Sequence, residues 1–126
     1  MYWKQTELLD PVISDQIHEG RGLIRQRNLF RESSRLPFRI GVWELDKGVS
    51  EGDHIHEGPS SLEEIYYFLC GEGVMTIDGE EITVSAGDAI MVPPGVDHGI
   101  TSTGATPLKL IIIWGKPEDG HAPYPT

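Results

Sequence analysis

From Phe38 to Trp114 the chain runs in short apolar stretches, many alternating with polar residues, broken by glycine, proline and aspartate every eight to twelve residues or so. Phe38-Arg39-Ile40-Gly41-Val42-Trp43-Glu44-Leu45 is rich in β-forming residues, and Asp46-Lys47-Gly48 ends it. His54-Ile55-His56 follows a Gly/Asp turn, and Glu57 to Ser61 reads as a loop. Glu64 to Leu69 is strongly β-forming and stops at Cys70-Gly71-Glu72-Gly73. Val74 to Ile77 and Glu80 to Val84 flank Asp78-Gly79, the pattern of a two-residue hairpin. Ala89 to Val92, a strand opening at His98 and Leu108 to Trp114 complete the series. Upstream the pattern is poorer. Asp10-Pro11 marks a possible short helical turn. Leu23 to Phe30 alternates without a clean apolar face, which predicts an edge strand or a subunit contact.

No long amphipathic helix interrupts these strands, so the expectation is an all-β sandwich or barrel. The 126 residues suit one domain. We divide it into an N-terminal arm, 1–37, packed on the barrel or on a partner subunit, a barrel domain, 38–115, and a C-terminal tail, 116–126.

Charge narrows the function. The formal net charge is −10, which argues against nucleic-acid binding, since phosphate contacts need a basic face. All six arginines fall between Arg21 and Arg39, whereas from Ile40 onward three lysines face fifteen acidic residues. The basic segment could therefore lie on an acidic body, its own or a partner's, or form a solvated strand face. A single cysteine, Cys70, allows no internal disulfide. The N-terminus has no signal-peptide run, and the longest apolar stretch, Leu110 to Trp114, is too short to span a bilayer. These features point to a soluble, cytoplasmic protein without membrane or nucleic-acid partners.

The chemistry concentrates between Gly48 and His98. Side chains two apart on a strand share a face, so His54 and His56 point the same way and Ile55 points away. A His-x-His alone is more often a pair of ordinary polar residues than a metal site. Here it sits in a longer pattern: Gly48, five residues, His54-Ile55-His56, a gap, Glu64, six residues, Gly71. A second pattern follows: Gly87, five residues, Pro93-Pro94-Gly95, two residues, His98.

These two motifs, in order and closely spaced, resemble those of the cupin superfamily over about residues 38–115. The resemblance implies a small jelly-roll barrel, the double-stranded β-helix. It also implies one divalent transition metal held by His54, His56, Glu64 and His98. Three imidazoles and a carboxylate suit Fe, Mn, Ni, Co or Zn without choosing among them. Glu63 competes with Glu64, but the six-residue count to Gly71 selects Glu64. Two positions depart from the pattern. The gap between His56 and Glu64 is longer than usual, which places the extra Glu57–Ser61 loop at the barrel mouth. The family's closing asparagine is Ser102, which keeps a hydrogen-bonding group.

An inward Glu64 carries Tyr66 and Phe68 inward, and Tyr66 would stand beside the metal as a proton donor or acceptor. The alternative is a core tyrosine bonded to a backbone carbonyl. His18 and His121 lie outside both motifs and read as surface residues. Asp53 and Asp97 precede ligand histidines and read as turn residues that could orient imidazoles. Trp43 and Trp114 are expected in the barrel or at a subunit contact, and Arg39 either in the pocket or in an outer salt bridge. The resemblance implies a metal-dependent enzyme acting on a small oxygen-containing molecule, such as a sugar, hydroxy acid or dicarbonyl. Dioxygenase, isomerase and lyase chemistry all fit. A non-catalytic binding module and a metal-stabilised structural barrel are the alternatives. A homodimer is expected, with the arm offering a strand to exchange.

Overall fold

The computed structural model describes residues 1–120 and 123–125. His121 lies outside the described residues. Among the described residues ten strands form: β1 Ile13–Asp15, β2 Ile24–Asn28, β3 Phe38–Leu45, β4 Ser50–His54, β5 Glu63–Cys70, β6 Glu72–Ile77, β7 Glu80–Ser85, β8 Ala89–Val92, β9 His98–Ser102 and β10 Leu108–Gly115. They build a six-stranded sheet, β1-β2-β3-β10-β5-β8, and a four-stranded sheet, β4-β9-β6-β7, with antiparallel pairing throughout. This is the jelly-roll architecture expected of the motifs.

Period-two alternation sets what each strand buries. Glu64, Tyr66 and Phe68 of β5 point inward, as do Leu108, Leu110 and Ile112 of β10 and Met75 of β6. The β6–β7 hairpin turns on Asp78 and Gly79, with φ of 48° and 81°. Both central residues of this turn need positive φ, which is why Asp-Gly stands there.

The arm differs from the sequence expectation. β2 is not an edge strand, because it pairs β3 on one side and β1 on the other. The edge is β1, three residues long and wholly exposed, with no alternation to reveal it. The helical turn is a 3₁₀ segment, Glu7–Leu9, that ends before Asp10-Pro11 instead of starting there. Asp10 is extended, φ −75° and ψ 144°, because a residue before proline is pushed out of the helical region.

Two of the six arginines meet acids of their own chain. Arg25 lies 3.1 Å from Glu44 and 2.9 Å from Asp46, and Arg27 lies 3.2 Å from Glu7 and 2.9 Å from Asp10. Arg39 takes neither expected role: it is exposed and donates to the backbone carbonyls of Leu36 and Phe38. Tight backbone contacts bind the arm to β4. Ser50 N–H donates to Arg21 O at 2.9 Å and Gly52 N–H to Ile17 O at 3.1 Å. A Cβ on Gly20 would lie 1.9 Å from Ser50 O, so only glycine fits that crossing. Among the described residues no helix is long and apolar enough to cross a membrane.

Candidate metal centre

Three strand ends bring the chemistry together. β4 ends at His54 with His56 just beyond it, β5 supplies Glu64 and β9 opens with His98. His54 and His98 face each other as a cross-strand pair. Glu64 Oε1 lies 2.6 Å from His56 Nε2, 3.4 Å from His98 Nε2 and 3.8 Å from His54 Nε2. Donor atoms of these four residues all lie within 4.8 Å of one another, so the group could hold a metal ion. Glu63 faces the other way and accepts a hydrogen bond from Tyr124 at 2.8 Å.

Hydrogen bonding tests whether an ion fits. His54 Nδ1 lies 2.9 Å from Gly52 O, and His98 Nδ1 lies 2.9 Å from Val96 O. A carbonyl only accepts, so each Nδ1 carries the proton and each Nε2 of the neutral ring presents its lone pair. Both Nε2 atoms are buried without a hydrogen-bond partner. Unpartnered buried polar atoms are costly, and a cation among these four donors would satisfy them. Burial works against protonating His54 and His98, but Glu64 and the two carbonyls outweigh it and raise their basicity. Burial likewise pushes the Glu64 carboxyl up, yet His54, His98 and Tyr66 together hold it well below the usual carboxylate range.

The sequence reading missed Glu51. It is 3% exposed, and its carboxylate lies 3.9 Å from His54 Nε2. Strict alternation would send Glu51, three residues before His54, to the opposite face. A register shift between Glu51 and His54 breaks the alternation and turns both inward. Burial, above all, raises the Glu51 carboxyl to about 7, with the nearby Glu64 charge adding to it.

Tyr66 is fully buried at 0% exposure. Its hydroxyl lies 2.8 Å from Glu64 Oε2 and 3.0 Å from Glu51 Oε1, so its partners are two carboxyl groups and not a backbone carbonyl. One phenolic proton cannot serve both. The shorter bond gives it to Glu64, and a protonated Glu51 can donate to the phenol oxygen in turn. Burial and both carboxylates push the phenol well above its ordinary value, so it stays protonated.

A cavity of about 280 Å³ opens beside this group. Glu51, His56 and Glu64 line its floor, whereas residues of the arm and the two tryptophans Trp43 and Trp114 wall it. Leu62, just after the extra loop, also lines it. His18, expected on the surface away from the chemistry, lines it too. Its ring stacks on His54 with centroids 3.5 Å apart and planes 11° apart, and its Nε2 lies 4.0 Å from Glu51 Oε2. Left-handed backbone at His18 and Glu19, φ 50° and 59°, and the Gly20 crossing deliver it there. Burial and the neighbouring imidazoles lower its pKa to about 4, so it is neutral at pH 7. His18, Glu51 and His54 form a second cluster with metal-ligand spacing. His54 has one free nitrogen lone pair, so the two clusters are alternative positions for one ion.

The other residues singled out have structural surroundings. Asp53 packs against Gly99, where no Cβ fits, and Asp97 pairs with Asp78 through two backbone N–H bonds of 2.8 and 3.0 Å. Ser102 is buried, but its hydroxyl has no partner among the described residues. Its backbone bonds to Gly48 and Val49 tie the two motifs' ends together.

Comparison with known proteins agrees with this geometry. Residues 41–114 match the family described as Cupin domain. The oxalate-binding protein of Thermotoga maritima is 40% identical over 115 residues, 90% of this chain and 92% of that protein. A crystal structure from Thermotoga maritima, described as a predicted oxalate decarboxylase, superposes with a TM-score of 0.78 at 29% identity, covering 86% of this chain and 95% of that one. The dimethylsulfoniopropionate lyase DddW of Ruegeria pomeroyi is 32% identical over 96 residues, 75% of this chain and 59% of that protein. With its two-sheet barrel, its paired motifs and a match across residues 41–114, the chain belongs to the cupin family.

Proposed function

We propose that this cupin holds one divalent transition metal with His54, His56, Glu64 and His98 and acts on a small organic acid in the adjoining cavity. The observation that supports it most is the pair of buried, unpartnered imidazole nitrogens aimed at Glu64 beside a cavity of about 280 Å³. When bound, the metal would polarise ligand oxygens and stabilise negative charge on them. Glu51 lines the cavity and is raised to about 7, which suits a group that gives and takes a proton near neutral pH. Tyr66 does not line the cavity; it acts through Glu64, which it orients, and Glu51, with which it exchanges a hydrogen bond. Lyase or decarboxylase chemistry on an acid is the reaction class this arrangement favours: decarboxylation leaves a carbanion that takes up a proton and elimination begins by giving one to a base, so each needs a proton-exchanging group beside the substrate.

A second reading is binding without turnover, favoured by the relative described as oxalate-binding. Calorimetry with metal-loaded protein and oxalate, lactate and malate tests the shared part; failure of all three to bind at millimolar concentration would refute both readings. Recovery of the acid separates them, since an enzyme releases carbon dioxide or an unsaturated product and a binder returns the acid unchanged. We also propose a homodimer, supported by the exposed apolar residues Tyr2, Trp3, Leu8 and Leu9 on the arm; a monomer by light scattering would contradict it.

A further inference from the structure

The arm supplies a second, metal-independent recognition point. The polar side chains of Gln26 and Asn28, two apart on β2, face the cavity, as does Arg31 just beyond the strand. None of these three side chains has a hydrogen-bond or ion-pair partner among the described residues, whereas Arg25 and Arg27 are both paired with acids. Arg21, Arg35 and Arg39 likewise lack an acidic partner among the described residues, but of the six arginines only Arg31 lines this cavity. The backbone that carries it is fixed. Phe30 adopts φ 53°, its carbonyl accepts from Ser33 N–H at 3.2 Å and Ser34 N–H at 2.8 Å, and its own N–H donates to Gln5 Oε1. This turn fixes the backbone next to Arg31, whose side chain lines the cavity, and a guanidinium fork suits a carboxylate.

The same cavity thus has two points that can each take a carboxylate, the four candidate metal ligands and Arg31. We infer that the ligand is a hydroxy- or oxo-dicarboxylate. One carboxylate would lie toward His54, His56, Glu64 and His98, which would hold the metal, and the distal carboxylate would pair with Arg31, with Gln26 and Asn28 as hydrogen-bonding groups between them. Asp15 lines the same wall and disfavours a third carboxylate. This inference rests on the metal-centred reading above and adds the far end of the ligand to it.

Calorimetry on Mn(II)-loaded protein with malate, lactate and oxalate tests it. Malate differs from lactate by the distal carboxylate. Wild-type protein should bind malate about tenfold more tightly than lactate, the scale of one charge-assisted contact. Arg31→Gln should erase that preference and leave oxalate affinity within about twofold, while Asp15→Asn should tighten malate. Equal binding of malate and lactate by wild type, or a preference that survives Arg31→Gln, overturns the inference and leaves the metal-centred reading intact. Failure of all three acids to bind the loaded protein overturns both.

Discussion

Replacing Tyr66 by Phe removes one oxygen and leaves the ring, which lies 6.5 Å from that of Phe68, in place. The lost hydroxyl is the 2.8 Å donor to Glu64 Oε2 and the 3.0 Å partner of Glu51. A hydrogen bond to a charged group is worth about 1.5–3 kcal/mol, and a buried carboxyl left without its partner costs about 1–3 kcal/mol. The two overlap, because Glu51 can relax toward the cavity, so we expect metal-free Tyr66→Phe to lose about 2–4 kcal/mol. Metal affinity should fall about 10- to 100-fold, the range for losing a group that orients a ligand, with the site still filled at saturating metal. Urea denaturation in chelator gives the first quantity, and competition against a metal indicator gives the second. A stability change under about 0.5 kcal/mol with unchanged metal affinity would refute the reasoning, and Tyr66 would be an ordinary core residue.

Glu51 should leave a pH signature in the metal-free protein. Its carboxyl is raised from 4.5 to about 7, so its contribution is fully present below about pH 4.5 and is lost as pH rises through about 7. Wild-type stability minus that of Glu51→Gln should therefore fall by about 3 kcal/mol over that window; a flat difference contradicts the assignment. Gly20→Ala should force the arm off β4, because the new Cβ would lie 1.9 Å from Ser50 O. We expect a loss of about 1–3 kcal/mol and faster proteolysis between residues 1 and 23, and an unchanged digestion rate would count against the docking described.

Much of the site was legible because its candidate ligands stand at fixed counts from glycines and a proline in two motifs, with alternation along β5 adding Tyr66. Burial of Glu64, Tyr66 and Phe68, with Glu63 turned away, follows from alternation along β5. The Asp78-Gly79 hairpin follows from the positive φ that its turn demands. Glu51 was hidden because the irregularity before His54 breaks the alternation on which the reading depends. His18 was hidden for a different reason: its position comes from long-range docking of the arm, fixed by Gly20 and the β4 backbone, and no local pattern encodes that. The one visible hint was His18-Glu19-Gly20, a histidine before a glycine in a segment with no clear periodicity. β1 escaped because three exposed residues carry no apolar signature.

Anomalous diffraction from crystals of Mn(II)-loaded protein tests the central claim most directly. We predict one ion per chain, bonded by Nε2 of His54, His56 and His98 and by the Glu64 carboxylate, with its remaining positions open toward the cavity. An ion on His18, Glu51 and His54 instead, or no ion in the barrel at saturating metal, would contradict it.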